Sequence, residues 1–285
     1  MVVKLSIFFI ALVFALPAFA FDDTELVSYW SMEEESGVRV DSHGSNDLTD
    51  NNTVLFTNGI IGNGADFDST NSEYLSILDS ALSGLDFQTD TTINFWLKRT
   101  TDASMGWFAH NYQDTAGCTT YYYNPSGVFQ FICKDPALNS TVSFPLDTWT
   151  MHTVTYDSGT FALKQYVNGE YEGTVSLPSA IVDPSTEFLI GTSYWTDYQL
   201  YFDGVIDEVS YWSMVLSDSD ITALYNSGVG LSYEETTGYT ATSTATTTTS
   251  TTDNDDLIRV ISLYMSVFVF MATTIVGYKF TKLFF

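Results

Sequence analysis

Apolar and polar side chains alternate along much of the stretch from residue 21 to residue 233. Over Thr91–Lys98, Ile93, Phe95 and Leu97 fall on one side, and Thr92, Asn94, Trp96 and Lys98 on the other. Period two is the signature of a strand. Met151–Tyr156, Phe161–Val167, Tyr171–Ser176, Phe188–Gly191 and Val205–Met214 read as further strands. Between the second and third of these, Asn168-Gly169 predicts a two-residue hairpin turn. One segment departs from the pattern. Ser217 as N-cap, Asp220 three residues on and Gly228 as a stop predict a short helix, Asp218–Asn226, with Ile221 and Leu224 inward. The pattern as a whole predicts an all-β antiparallel sandwich or jelly roll with one short helix. The hexapeptide VSYWSM occurs at Val27–Met32 and again at Val209–Met214. As neighbours in one sheet, these two strands would bring the ends of the domain together.

The two ends of the chain follow other rules. Met1–Ala20 carries Lys4, an apolar run from Leu5 to Leu16, then Pro17 and Ala18-Phe19-Ala20. This is the layout of a secretory signal peptide with a small-x-small cleavage site. The run is too short to cross a hydrocarbon core of about 30 Å. Val260–Tyr278 holds no charge and spans roughly 28 Å as a helix at about 1.5 Å per residue. Asp253, Asp255 and Asp256 precede it, with Arg259 at the membrane edge against the trend, and Lys279 and Lys282 follow, so the tail is expected on the cytoplasmic side. A transmembrane helix over 257–278 is expected, with a cytoplasmic tail at 279–285. A lipid-anchor signal is the competing reading of such a tail. Thr236–Thr252 is almost all Thr and Ser, so 234–256 is a stalk that no core can organise. That leaves 21–233 as one domain.

Charge narrows the partners. All 35 acidic residues lie between Asp22 and Asp256, against five basic ones in that stretch, Arg39, Lys98, Arg99, Lys134 and Lys164, a net charge of about −30. Such a surface repels nucleic acid and sulfated or sialylated polymers. It suits divalent cations or neutral ligands, and it also serves solubility. Two cysteines, Cys118 and Cys133, flank a segment centred on Asn124-Pro125-Ser126-Gly127. With Pro125 and Ser126 as the turn, the two cysteines sit opposite each other. A cross-strand disulfide is then expected in an oxidising compartment, with two free thiols as the other arrangement. Asn51 and Asn139 head N-glycosylation triplets.

Several segments, in order, resemble a known family. They are Leu26–Gly37 with Val40-Asp41-Ser42 and Asn46-Asp47, then Ile61–Asp68, Glu73–Ile77, Ile93–Lys98, Trp149–Asp157, Tyr166–Gly169, Leu189–Gly191, Phe202–Val209 and Leu224–Gly228. Together they resemble laminin-G-like domains of the concanavalin A-like lectin/glucanase superfamily. The resemblance implies a concanavalin A-like jelly roll of two curved antiparallel sheets. It also implies glycan, protein or steroid ligands, often with calcium. Fold membership leaves function open.

The chemistry divides into three readings. Related glucanases carry paired glutamates along one strand with an aspartate between them. Here Asp207-Glu208 is the only tempting pair, and strand alternation predicts that the two point to opposite faces. A retaining glycosidase needs its carboxyls about 5–5.5 Å apart on one substrate, so the expectation is no enzyme. His43, His110 and His152 show no metal-binding spacing, and His152 resembles a structural histidine. The resemblance makes Asp207 a calcium candidate, and Asp41 and Asn46 can supply further oxygens. For ligand binding, Trp107, Tyr112, Tyr194, Trp195 and Tyr198 lie in or beside expected loops, where aromatic faces stack on sugars or anchor interfaces. The reading is a membrane-anchored, non-catalytic recognition or adhesion protein for a glycan or surface protein. A self-associating structural surface or viral-envelope protein is the alternative, and a tethered glycan hydrolase comes third.

Overall fold

The computed structural model describes residues 23–233, except 86, 114–115, 124–126, 134–136, 183–184 and 196–197. The side chains of 111–117, 121–126 and 194–198 are also outside that description. The expected signal peptide, stalk, membrane helix and tail lie outside the described residues. Among those described, no helix is long and apolar enough to cross a membrane.

Strands dominate. In chain order they are β1 (Leu26–Trp30), β2 (Thr49–Asn51), β3 (Leu55–Asn58), β4 (Asn63–Phe67), β5 (Tyr74–Ile77), β6 (Thr91–Arg99), β7 (Met105–Gln113), β8 (Ala116–Tyr123) and β9 (Val128–Cys133). Then follow β10 (Leu138–Ser143), β11 (Thr150–Asp157), β12 (Ala162–Val167), β13 (Glu170–Ser176), β14 (Phe188–Ile190), β15 (Thr192–Trp195), β16 (Tyr198–Tyr201), β17 (Gly204–Trp212) and the helix α1 (Asp218–Tyr225). The first sheet runs β13-β12-β11-β6-β17-β4-β3, with β1 also on β17. The second runs β10-β9-β8-β7-β14-β5-β2, and β15 and β16 form a separate hairpin. All strand pairs are antiparallel, as alternation predicted.

The two hexapeptides pair with each other. Ser28 faces Tyr211, Tyr29 faces Ser210 and Trp30 faces Val209. This register sends equivalent residues to opposite sides. Trp30 and Tyr211 point into the core between the sheets. Tyr29 and Trp212 point outward, into a second core.

That second core explains a departure from simple alternation. β6 is buried on both faces. Ile93, Phe95 and Leu97 fill the space between the sheets. Trp96, on the outer face, lies beneath Ile221 and Leu224 of α1, with Leu231 and Tyr233 packed alongside. Burying an aliphatic side chain such as Ile221 contributes roughly 1.5–3 kcal/mol. The helix carries the expected capping box, with Ser217 accepting from the Asp220 amide and the Asp220 carboxylate accepting in return. It stops earlier than expected. Asn226, in a left-handed conformation at φ 46°, caps it two residues before Gly228.

The Asn168-Gly169 turn forms as predicted, both residues with positive φ and Val167 paired with Glu170. Cys118 faces Cys133 across β8 and β9, and the two form a disulfide buried in the main core. It closes a loop with a sequence separation of 15. On the chain-entropy account that loop is worth about 3 kcal/mol. The double substitution Cys118→Ala and Cys133→Ala is therefore expected to lower the urea-unfolding free energy by roughly that amount. An unchanged midpoint would show that the bridge adds nothing to stability.

Candidate ligand-binding site

Two carboxylates near the end of the domain were the first candidates for chemistry. β17 contains a bulge between Asp207 and Ser210, and Glu208 adopts φ 46°. The bulge overturns the expectation that Asp207 and Glu208 point to opposite faces. Asp207 pairs with Trp96, whose ring lies in the outer core. Glu208 Oε2 accepts from the hydroxyl of Tyr29, which belongs to the same core. Both carboxyls thus lie on one side, yet each is enclosed by protein. Asp207 is fully buried and Glu208 is 3% exposed. Asp207 Oδ2 accepts from the amides of Ile60 at 2.8 Å and Ile61 at 3.2 Å, and Oδ1 accepts from Glu208 N at 2.9 Å. On the far side of the same turn, Glu33 accepts from the Asn63 amide. The pair therefore clamps a turn and the C-terminal segment rather than an open cleft.

The expected calcium ligands Asp41, Asn46 and Asp207 are each bonded to groups of the protein. Asp41 accepts from the amides of Tyr29, His43, Gly44 and Asn46. Asn46 donates to Ser28 Oγ and the Ser83 carbonyl, and its own Oδ1 accepts from Ser83 N. These groups organise the turn after β1. The Asp207 carboxyl group already accepts from two amides of a different segment, Ile60 and Ile61, and from that of its neighbour Glu208. Calcium wants 6–8 oxygens. Among the described residues, no three His, Cys, Asp or Glu side chains gather at one point.

The aromatic candidates separate. Trp107 is not a surface residue. It is fully buried, edge-on to Phe129, Phe144 and His152 at 5.4, 6.1 and 5.4 Å. The cause is a register shift in β7 between Met105 and Phe108, which turns both Trp107 and Phe108 into the core. Tyr112 lies in a strand, near the end of β7 and beside its connection to β8. Tyr194, Trp195 and Tyr198 also lie in strands, on the β15–β16 hairpin, with Tyr194 opposite Gln199 and Trp195 opposite Tyr198. Gly191 makes that hairpin possible. Its φ is +83°, and a Cβ there would fall 2.2 Å from the Phe67 ring. The strand breaks at this glycine, and β15 continues past it against β7.

Two further aromatics lie next to the hairpin. In β5, Leu75 and Ile77 face the core, so Tyr74 and Ser76 face outward. The Tyr74 ring lies 6.3 Å from that of Tyr201, at 46°. The Tyr201 hydroxyl donates to Gln199 Oε1 at 2.5 Å. Both tyrosines are half-buried. Burial, then Glu187 and Tyr201, push the Tyr74 hydroxyl above its ordinary pKa, so it stays neutral. Sequence reading placed Tyr74 in a family segment but gave it no role, because only the tertiary pairing brings Tyr201 to it.

The glycosylation candidates differ in exposure. Asn139 is exposed on β10. Asn51 is half-buried on β2, its Nδ2 donating to the Thr49 carbonyl and to Ser76 Oγ.

With this geometry, comparison with known proteins decides the family. The sequence profile of a laminin-G-like family within the concanavalin A-like lectin/glucanases superfamily matches residues 68–222, more than half of the chain. The chain belongs to the concanavalin A-like lectin/glucanases superfamily. No curated protein matches it. Among solved structures, it is similar to domain 4 of a GH43 extracellular arabinanase from Geobacillus stearothermophilus, in complex with arabinotriose. The TM-score is 0.56 at 18% identity, over 70% of this chain and 97% of that one. It is similar to the binding domain of Paraclostridial Mosquitocidal Protein 1, with a TM-score of 0.56 and 14% identity over 71% of this chain and 52% of that one. A third similar structure is the botulinum neurotoxin serotype D binding domain, with a TM-score of 0.54 and 16% identity over 72% and 52%. The chain spans about half the length of the two toxin domains. At these identities the likeness shows a shared lectin-like sandwich.

Two buried groups of this sandwich contribute opposite slopes to its response to pH. His152, fully buried with Nε2 3.0 Å from Gln165 Oε1, is held down to about 4, chiefly by burial. Its contribution is intact above the unfolded value of 6.5 and is lost as pH falls toward 4. Asp207 is pushed up to about 9, first by burial and then by Glu208. Its protonated form belongs to the fold, so its contribution is intact below 3.8 and is lost as pH rises toward 9. The slopes oppose each other between pH 4 and 6.5, and above 6.5 His152 no longer offsets the slope of Asp207. Urea unfolding is expected to show stability falling from pH 6.5 to 9. A flat or rising profile there would refute the protonated Asp207.

Proposed function

We propose that this chain is a membrane-anchored surface recognition protein that binds a glycan through its lectin-like sandwich without catalysing a reaction. The observation that carries the reading is the meeting of the β15–β16 hairpin with β5, which brings Tyr201, bonded to Gln199, beside Tyr74. Aromatic side chains beside a few fixed polar groups are the usual make-up of a small-molecule site. The arabinotriose held by the similar arabinanase domain supports a saccharide as ligand. The receptor-binding domains of botulinum neurotoxin among the similar structures support recognition at a surface. The enclosure of Asp207 and Glu208 supports a non-catalytic role. The signal-like leader, the Thr/Ser stalk and the apolar segment 257–278 support an outward-facing domain on a single-pass anchor.

A second reading has one observation in its favour. β3 is an edge strand of the first sheet, and Leu55 and Phe56 on it are 53% and 42% exposed. An open edge with apolar side chains favours lateral pairing between copies. Cross-linking on the membrane that yields dimers and higher species, with no glycan bound, would favour that structural role.

Glycan-array binding by the full-length chain in detergent is the direct test. Saturable binding is expected, and it is expected to survive chelation of calcium, because the carboxyl groups of Asp41 and Asp207 are already bonded to backbone amides. No saturable ligand on a broad array would overturn the lectin reading. Binding abolished by chelation would show that an ion holds the ligand or its loops.

A further inference from the structure

We propose that the saccharide site lies on the outer face of the second sheet, at Tyr74 and Tyr201 with Gln199, and that it selects neutral sugars. This rests on the glycan-binding reading and gives it a place and a ligand class. The placement comes from register. Asn51 faces Tyr74 and Thr49 faces Ser76 across β2 and β5, and directly opposed residues share a face. Asn51 Nδ2 reaches Ser76 Oγ at 2.9 Å on that face. On the neighbouring hairpin, Gln199 and Tyr201 alternate to one side of β16, and Tyr194 holds the register position opposite Gln199. The result is a platform of two half-exposed rings bordered by two carboxamides and a hydroxyl.

The chemistry of that platform matches a sugar ring. The face of a phenol ring is electron-rich, and the C–H bonds of a pyranose or furanose present a weakly positive surface to it. The two rings are tilted rather than coplanar, so they form a shallow trough across one or two sugar units. Tyr201 is held in place by Gln199, so little side-chain freedom remains to be lost on binding. The carboxamides and phenol hydroxyls at the rim suit hydrogen bonds to sugar hydroxyls.

Charge sets the class. Glu187 is close enough to Tyr74 to raise the pKa of its hydroxyl. No lysine, arginine or histidine is among the residues that form the platform. A sulfate or carboxylate on the ligand would meet repulsion here with no compensating cation. A neutral sugar carries no charge to be repelled, and its hydroxyls meet the carboxamides of the rim.

Titration of the full-length chain in detergent with neutral arabino-, xylo- and gluco-trisaccharides tests this, with sulfated and sialylated trisaccharides as the contrast. At least one neutral probe is expected to bind, and Tyr74→Ala and Tyr201→Ala are each expected to weaken that probe tenfold or more. Tyr201→Phe keeps the ring and loses the bond to Gln199, so an intermediate loss is expected. Tyr171→Ala, at an exposed tyrosine of the first sheet, is expected to leave binding unchanged. An unchanged thermal transition in each variant separates lost binding from lost fold. Where Tyr74→Ala alters the transition, Tyr74→Phe is read instead and is expected to retain most of the affinity. Wild-type binding that both alanine variants leave intact would overturn the location and leave the lectin reading standing. Tighter binding of the anionic probes would overturn the ligand class. No binding of any probe by the wild-type chain would overturn both.

Discussion

β17 is the strand on which the rest of the domain depends. All nine of its residues are buried, because β6 flanks it on one side, β4 and β1 on the other, and a packed core covers each face. Few strands in a two-layer sandwich lack a water-facing side. This one lacks it because α1 and the segment that follows fold back over the first sheet. Its polar residues are therefore obliged to find partners inside the protein. Asp207 takes three amides, Glu208 takes the Tyr29 hydroxyl, and the Ser210 hydroxyl accepts from the indole of Trp212. The Tyr29 hydroxyl also lies 3.0 Å from the Leu231 carbonyl, so the polar residues of β17 help fasten the segment that covers them.

The parts of this fold that were legible in the sequence are those fixed by local rules. Asn168-Gly169 announced its turn because both positions need positive φ. The capping box of α1 was legible because Ser217 and Asp220 satisfy each other within one helical turn. The facing of Cys118 and Cys133 followed from counting outward from a turn. Each of these depends on residues close in sequence or on a fixed period.

What was not legible depends on breaks in that period. The bulge at Glu208 moved a carboxyl across the sheet. The register shift in β7 drew Trp107 inside, although its neighbours read as a loop. Gly191 turned an expected aromatic loop into a hairpin, and only the ring of Phe67, distant in sequence, explains why a side chain is forbidden there. Tyr74 and Tyr201 are more than a hundred residues apart, and nothing in either local sequence announces the other. Alternation identifies which residues share a strand face, but a single extra residue reverses every assignment beyond it.

The segment ending at Tyr233 lies against the outer face of the first sheet, where the Tyr233 ring is tilted at 53° to that of Tyr29, 5.3 Å away, and its hydroxyl is 3.2 Å from His43 Nδ1. The Tyr74–Tyr201 trough lies on the outer face of the second sheet, with the whole thickness of the sandwich between them. Packed sheets are separated by about 10 Å before their outer side chains are counted. The exit of the chain and the trough therefore have opposite bearings. A load applied at Tyr233 would therefore meet its contacts with Tyr29, and through Tyr29 those with Glu208, before it reached the strands that carry Tyr74 and Tyr201.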